Sequence, residues 1–203
     1  MLDQKLNIFF KPVLTKFATI LLKHKISPNQ ITLFGFILGF FCFIFLSLGM
    51  IYIALIFFIL NRFFDGVDGT LARLKKPTDL GGFYDIISDF LIYALLPFGF
   101  ILFDNDNFLS MSLLLTSFIG TCATFLTTAW IFEKKKIKIE QLSKKSFFYS
   151  DGLIEGAETI ILFILMFVFY EVASFIAWIF AFLCFLTAIM RVVKVSKILN
   201  SIN

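Results

Sequence analysis

Long apolar runs broken by short polar turns occupy most of the chain, at residues 32–49, 51–73, 80–103, 108–132, 153–170 and 172–193. Most of these runs reach or approach the ~20 residues that a helix needs to cross the hydrocarbon core of a bilayer. The pattern predicts an all-α integral membrane protein with six transmembrane helices. The intervening turns are too short to hold a second core, so residues 1–203 form a single membrane domain, with 26–203 as the six-helix bundle. Residues 1–25 differ in pattern. Leu2, Leu6, Phe9, Phe10, Val13, Phe17, Ile20 and Leu21 recur at roughly helical spacing with Lys5, Lys11, Lys16 and Lys23 between them. That is the pattern of an amphipathic helix lying along the headgroups, with Pro12 placed to bend it. The scattered lysines and the lack of a small-residue cleavage site argue against a cleavable signal.

Composition agrees with the pattern. Hydrophobic residues make up 60% of the chain, above the share found in soluble domains, and mean hydropathy is +0.95. Cys42, Cys122 and Cys184 stand singly inside apolar runs, without the close spacing of a zinc site or redox pair. The many phenylalanines read as lipid-facing and core filler.

Basic residues segregate to alternate turns. Lys5 through Lys25 precede the first run; Arg73, Lys75 and Lys76 follow the second; Lys134 to Lys138, Lys144 and Lys145 follow the fourth; Arg191, Lys194 and Lys197 lie at the end of the sixth. The other turns, near residues 47–50, 104–107 and 170–171, have no Lys or Arg. By the positive-inside rule both termini face the cytoplasm. The basic clusters read as topology determinants and contacts to anionic membrane lipids, not as a nucleic-acid surface. His24, between Lys23 and Lys25, belongs to the same membrane-surface region.

Ionisable side chains within spans cost several kcal/mol each unless compensated. Asp65 and Asp68 are three apart near the end of the second run, and Asp85 and Asp89 four apart early in the third, so each pair shares a helix face. One short turn makes the two helices antiparallel neighbours and gathers the four carboxylates at the cytoplasmic side. Such a cluster requires either protonation of some members or cations, and hard divalent ions suit its oxygen ligands. Gly66, Gly69, Gly81 and Gly82 remove side chains nearby, and Arg73 offers planar donors to phosphate. Together these features point to diphosphate chemistry. The competing structural reading is a buried salt-bridge network joining Arg62, Arg73 and the acids.

Residues 65–89 read DGVDGTLARLKKPTDLGGFYDIISD, containing D-x-x-D-G-x-x-A-R, seven residues, then G-x-x-x-D-x-x-x-D. This resembles the signature of the CDP-alcohol phosphatidyltransferase family, with Asp65, Asp68, Gly69, Ala72, Arg73, Gly81, Asp85 and Asp89 at its fixed positions. Tyr84 stands where family members often have Leu. The resemblance implies two divalent ions, magnesium or manganese, held by Asp65, Asp68, Asp85 and Asp89. Asp89 would also be the general base, the catalytic residue that takes the acceptor's hydroxyl proton. Gly69, Ala72, Arg73 and Gly81 would line the pocket for a CDP-linked lipid donor. Transfer of its phosphatidyl group to a small or lipid alcohol would release CMP, as in phospholipid biosynthesis. The resemblance further implies the bacterial inner membrane, a cytoplasmic active site and a homodimer.

Two segments admit two readings each. Ser27 to Thr32 resembles a stretch that often opens the first span in this family: Asn29 or Thr32 touches the nucleotide, or Ser27 and Pro28 simply start a helix. Glu155 and Glu158 share a face at the start of the fifth run and either bind an alcohol headgroup or complement the helix amino terminus. Arg191 and Arg62 are candidates for an acceptor phosphate. Transfer of a CDP-choline or CDP-ethanolamine headgroup onto diacylglycerol is an alternative within the family. A magnesium-dependent prenyltransferase is disfavoured because its two Asp-rich motifs lie far apart in sequence. A cation transporter is disfavoured because these acids cluster at one side of the membrane.

Overall fold

The computed structural model describes residues 2–137 and 152–202, with the side chains of 2–7 and of Ile202 outside the description. Lys138, Lys144 and Lys145 of the basic clusters, and the side chains of Leu2, Lys5 and Leu6, lie outside the described residues. The described residues form helices and no strands. In chain order they are α1 (Leu2–Lys23), α2 (Pro28–Ser47), α3 (Ile51–Lys75), α4 (Asp79–Phe103), α5 (Phe108–Lys134), α6 (Gly156–Val168) and α7 (Ala173–Ile202). Short 3-10 turns at Asn105–Asn107 and Tyr170–Val172 precede α5 and α7.

Local chemistry sets the helix ends that matter for the site. Ser27 and Gln30 cap α2 reciprocally: Gln30 N–H donates to Ser27 Oγ (3.3 Å) and Ser27 N–H to Gln30 Oε1 (2.8 Å), with Pro28 in the first turn. Gly49, at φ +78°, makes the left-handed turn between α2 and α3. Arg73 and Lys75 lie in the last turn of α3, where cations offset the negative helix end. After Lys76 and Pro77 the chain reverses, and Thr78 Oγ1 caps α4 by accepting from Gly81 N–H at 3.1 Å.

α2 packs against α3 and α4, and α5 against α7. The main core buries Phe58, Phe100, Phe163, Phe167 and Phe180, with edge-on pairs such as Phe58–Phe163 (centroids 5.8 Å apart). α1 is fastened to α3 through a second cluster of Ala18, Ile31, Val67 and Leu71. A Cβ on Gly66 would lie 3.1 Å from Leu14, so this glycine lets α1 approach α3 and leaves ligand clearance to other positions. The rest of α1 exposes Ile8, Phe9, Phe10, Val13, Phe17 and Ile20.

Among the described residues, four helical stretches have the length and apolarity to cross a membrane: Pro28–Ser47, Asp79–Phe103, Asn105–Lys134 and Tyr170–Ser201. α3 has 25 residues, but Arg62, Asp65, Asp68 and Arg73 make it much less apolar. α6 has 13 residues, about 20 Å at 1.5 Å per residue against a core of about 30 Å. The apolar run beginning at residue 153 starts its helix only at Gly156. Leu153 and Ile154 are held in a turn, both N–H groups donating to Thr187 Oγ1 of α7 (3.0 and 3.2 Å).

Candidate active site

The short reversal between α3 and α4 brings the acids together as their spacing predicts. One carboxylate oxygen from each of Asp65, Asp68 and Asp85 falls within 4.8 Å of the others. Asp68 is buried, at 3% exposure, and its Oδ2 has no hydrogen-bond partner. A buried carboxylate oxygen without a donor is costly. Hard oxygen ligands gathered round such an atom are the donor set that Mg2+ or Mn2+ takes, so these residues fit a divalent cation.

Asp89 adjoins that group and is paired with Arg62. Its Oδ1 accepts from Arg62 Nη1 at 2.9 Å, and Arg62 reaches Asp65 Oδ2 only at 3.8 Å. Arg62 also donates from Nε to Asn61 Oδ1 (2.7 Å) and from Nη1 to Tyr93 Oη (2.9 Å), with its guanidinium 4.9 Å from the Tyr93 ring centroid. Asn61 Nδ2 in turn donates to the Gly35 carbonyl at 2.8 Å. The salt-bridge reading is therefore correct for Arg62. Arg73 instead donates from Nη2 to Thr70 Oγ1 at 3.1 Å, and no ion pair with an acid is formed by it among the described residues.

Two cavities flank the carboxylates. The first, of about 440 Å³, is lined by Asn29, Thr32, Asp68, Gly69, Ala72, Arg73, Gly81 and Asp85, together with Lys75, Lys76 and Thr78. Every residue assigned to the donor by motif resemblance is on its wall. A Cβ on Gly81 would come 3.2 Å from Asn29 Oδ1 and 3.1 Å from Thr78 Oγ1, so glycine keeps this wall open, and a Cβ on Gly82 would meet nothing within 4 Å. Thr32 donates its hydroxyl to the Pro28 carbonyl at 3.2 Å.

The second cavity, of about 500 Å³, lies between α4, α5, α6 and α7. Asp89, Tyr93, Glu155, Thr159 and Arg191 supply its polar wall; Phe90, Phe118 and Phe125 contribute apolar surface. Arg191 Nη1 donates to Thr121 O (2.9 Å) and Thr124 Oγ1 (3.2 Å). Glu158 is not on this wall: its Oε2 accepts from Glu155 N–H at 3.3 Å, a helix-start contact. Glu155 Oε1 accepts from Gly152 N–H at 3.2 Å while facing the cavity. The sequence reading did not single out Asn61 and Tyr93. A polar Asn61-Arg62 pair inside an apolar run, and a tyrosine one helical turn beyond Asp89, were the available signals.

Known proteins resemble this chain in sequence and in fold. The chain is 46% identical over 193 residues to the inner membrane protein YnjF of Escherichia coli (strain K12), covering 95% of this chain and 94% of that one. An uncharacterized protein of Aquifex aeolicus (strain VF5) is 35% identical over 91 residues, 44% of this chain and 46% of the relative. The fold is similar to that of the phosphatidylinositol phosphate synthase of Mycobacterium tuberculosis, solved with CDP-DAG bound. That match has a TM-score of 0.66 at 19% identity and covers 91% of this chain and 94% of that one. The family model for CDP-alcohol phosphatidyltransferases matches residues 25–189, a span that holds the whole Asp65–Asp89 signature and nearly all of both cavity walls, and the chain belongs to that family of transferases.

Proposed function

We propose that this enzyme transfers the phosphatidyl group of CDP-diacylglycerol to an alcohol and releases CMP. The observation that carries the reading is the buried, unpartnered Asp68 oxygen within the Asp65–Asp68–Asp85 cluster, on the wall of a cavity that also presents Arg73 and Asn29. Asp65, Asp68 and Asp85 would hold the divalent ions, magnesium or manganese, and the family resemblance adds Asp89 to that set. Bound there, the ions supply positive charge to the diphosphate oxygens and the departing CMP. Arg73 binds diphosphate oxygens through its planar donors, and Gly69, Ala72 and Gly81 leave room for the nucleotide. Asn29 and Thr32 contact the nucleotide from α2.

The acceptor enters the second cavity with its hydroxyl toward Asp89. The hydroxyl oxygen attacks the phosphorus nearer diacylglycerol, Asp89 takes the proton, and the bond from that phosphorus to the oxygen of CMP breaks. Glu155 and Arg191 bind the rest of the alcohol; Glu158 stabilises the start of α6. Membership of the transferase family sets aside the prenyltransferase and transporter alternatives.

In the same proposal α2 to α7 are six spans of the bacterial inner membrane, with both termini and the active site cytoplasmic. Three observations support it: the apolar helices, the segregated Lys and Arg residues, and the inner-membrane relative. α1 lies in the interface, supported by its exposed apolar side chains and exposed Lys11 and Lys16. A homodimer, implied by the family resemblance, completes the proposal.

The test is CMP release from CDP-diacylglycerol and magnesium by purified protein in detergent. Serine, glycerol 3-phosphate, inositol phosphate and phospholipid headgroup alcohols are supplied in turn, with Asp89→Asn as control. Acceptor-dependent CMP that vanishes in the variant is expected. No CMP with any acceptor from folded, metal-binding protein would overturn CDP-diacylglycerol as the donor.

A further inference from the structure

Among the described residues, three that are not glycine have positive φ: Lys25 (φ 60°), Lys136 (φ 52°) and Lys76 (φ 124°). The first two have the φ of the left-handed conformation that commonly ends a helix. Lys76, at φ 124° and ψ 122° in the turn between α3 and α4, lies outside the regions that an L side chain favours. Pro77 accounts for its ψ, since proline holds the residue before it extended, but not for its φ. Glycine takes this conformation without a steric clash, so the backbone alone would select glycine here. Strain of this kind collects where a side chain has a task.

Lys76 lines the first cavity with Asn29, Asp68, Arg73 and Gly81. It is exposed, and its ammonium makes no ion pair among the described residues. Lys75 beside it is committed: its Nζ donates to the Ile26 carbonyl at 2.7 Å and fastens the end of α3 to the turn before α2. A topology determinant needs only positive charge on the cytoplasmic side, which Lys75 supplies from within the helix. Orientation in the membrane therefore does not explain a second lysine at the strained position. We propose that Lys76 is a donor-binding residue whose ammonium contacts the phosphate oxygens of the nucleotide in the first cavity. The inference rests on the reading of that cavity as the nucleotide site. It adds a cation outside the family signature, because Lys76 lies in the seven-residue spacer between Arg73 and Gly81. An ammonium on a flexible stem meets phosphate as a point charge and complements the planar fork of Arg73.

CDP binding to the detergent-solubilised protein with Mg2+, followed by calorimetry, tests this without any turnover, and thermal unfolding reports the stability of each variant. Lys76→Gly relaxes the backbone and removes the charge, Lys76→Gln removes the charge alone, and Lys76→Arg keeps the charge. Lys76→Gly and Lys76→Gln are each expected to weaken CDP binding by about fivefold, the scale of one exposed charge contact. Lys76→Arg should stay within about twofold of wild type. Lys76→Gly alone should raise the thermal midpoint, by about 3 °C, so that the more stable protein is the weaker binder. Lys25→Gln, which removes a lysine that is not on the cavity wall, should bind CDP within about twofold of wild type. The inference falls if folded Lys76→Gly and Lys76→Gln bind CDP as wild type does, or if Lys76→Arg is as weak as Lys76→Gln. It falls equally if Lys25→Gln matches the loss in Lys76→Gln, which would reduce the effect to general surface charge. A Lys76→Gly midpoint that does not rise would remove the strain on which the argument stands. Wild-type protein that binds no CDP would sink the nucleotide reading itself, a result distinct from a Lys76 without a role.

Discussion

Asn61 of α3 donates its side-chain amide to the backbone carbonyl of Gly35 in α2, 2.8 Å away and 26 residues back in the chain. Both residues are shielded from solvent, and the same Asn61 accepts from Arg62 Nε at 2.7 Å. One buried amide thereby joins the helix that presents Asn29 and Thr32 to the helix that presents Asp65 and Asp68. Asn61→Leu leaves the Gly35 carbonyl with its bond inside α2 alone and strands one Arg62 donor, a loss of about 2 kcal/mol for a buried polar group left unmatched. A lowered thermal midpoint in detergent is expected, together with reduced turnover. An unchanged midpoint would show that lipid or water replaces the bond at no cost.

Two residues apart at the start of α2, Ser27 and Asn29 have separate tasks. Both border the first cavity, but the Ser27 side chain is engaged in capping bonds with Gln30, whereas Asn29 brings its Oδ1 to the Gly81 wall. Ser27→Ala should cost about 1 kcal/mol of stability, as loss of an N-cap does, and leave the KM for CDP-diacylglycerol unchanged. Asn29→Ala should raise that KM by about tenfold, the scale of one lost polar contact, with the thermal midpoint preserved. Equal effects of both variants on KM would merge the two roles and count against a nucleotide contact by Asn29.

How far the site was legible in the sequence follows from these particulars. The pairing of α3 with α4 was readable because one short turn separates two acid pairs of helical spacing, which leaves little choice of geometry. The gathering of Asp68, Gly69, Arg73 and Gly81 around one cavity was readable for the same reason. The position of Asp89 was not, because it depends on which carboxylate Arg62 reaches across 27 residues, a choice made by Tyr93 and Asn61. The short α6 was hidden as well. The apolar run is continuous from Leu153, yet Thr187, far along the chain, captures two backbone N–H groups and delays the helix. Gly66 looked like ligand clearance beside Asp65 but serves the packing of Leu14.

The proposed topology puts the Lys76 turn and the Asn105 turn on opposite faces of the membrane, at the two ends of α4. That helix has 25 residues, about 37 Å at 1.5 Å per residue. Both positions are exposed. In a background with Cys42, Cys122 and Cys184 replaced by serine, Lys76→Cys should react with a membrane-impermeant maleimide only in inside-out vesicles. Asn105→Cys should react only in right-side-out vesicles. The reverse pattern would invert the orientation drawn from the basic residues, and labelling of both from one side would remove α4 as a span.

The two glutamates at the head of α6 give the sharpest test of the acceptor cavity, because they are three residues apart and the geometry assigns them different work. Glu155 faces the cavity with Asp89 and Arg191, while Glu158 turns back to the Glu155 N–H. Once an acceptor is known, Glu155→Gln and Arg191→Gln should each raise its KM by about tenfold or more, as loss of a charged hydrogen bond does. The KM for CDP-diacylglycerol should hold steady in both variants. Arg191→Gln also cuts the bonds to Thr121 and Thr124 that tie α7 to α5, so its thermal midpoint should fall, and the steady donor KM separates that loss from general damage. Glu158→Gln keeps an acceptor oxygen for the Glu155 N–H and should leave both KM values alone. If Glu158→Gln instead reproduces the acceptor defect and Glu155→Gln does not, the alcohol lies along a different face of α6.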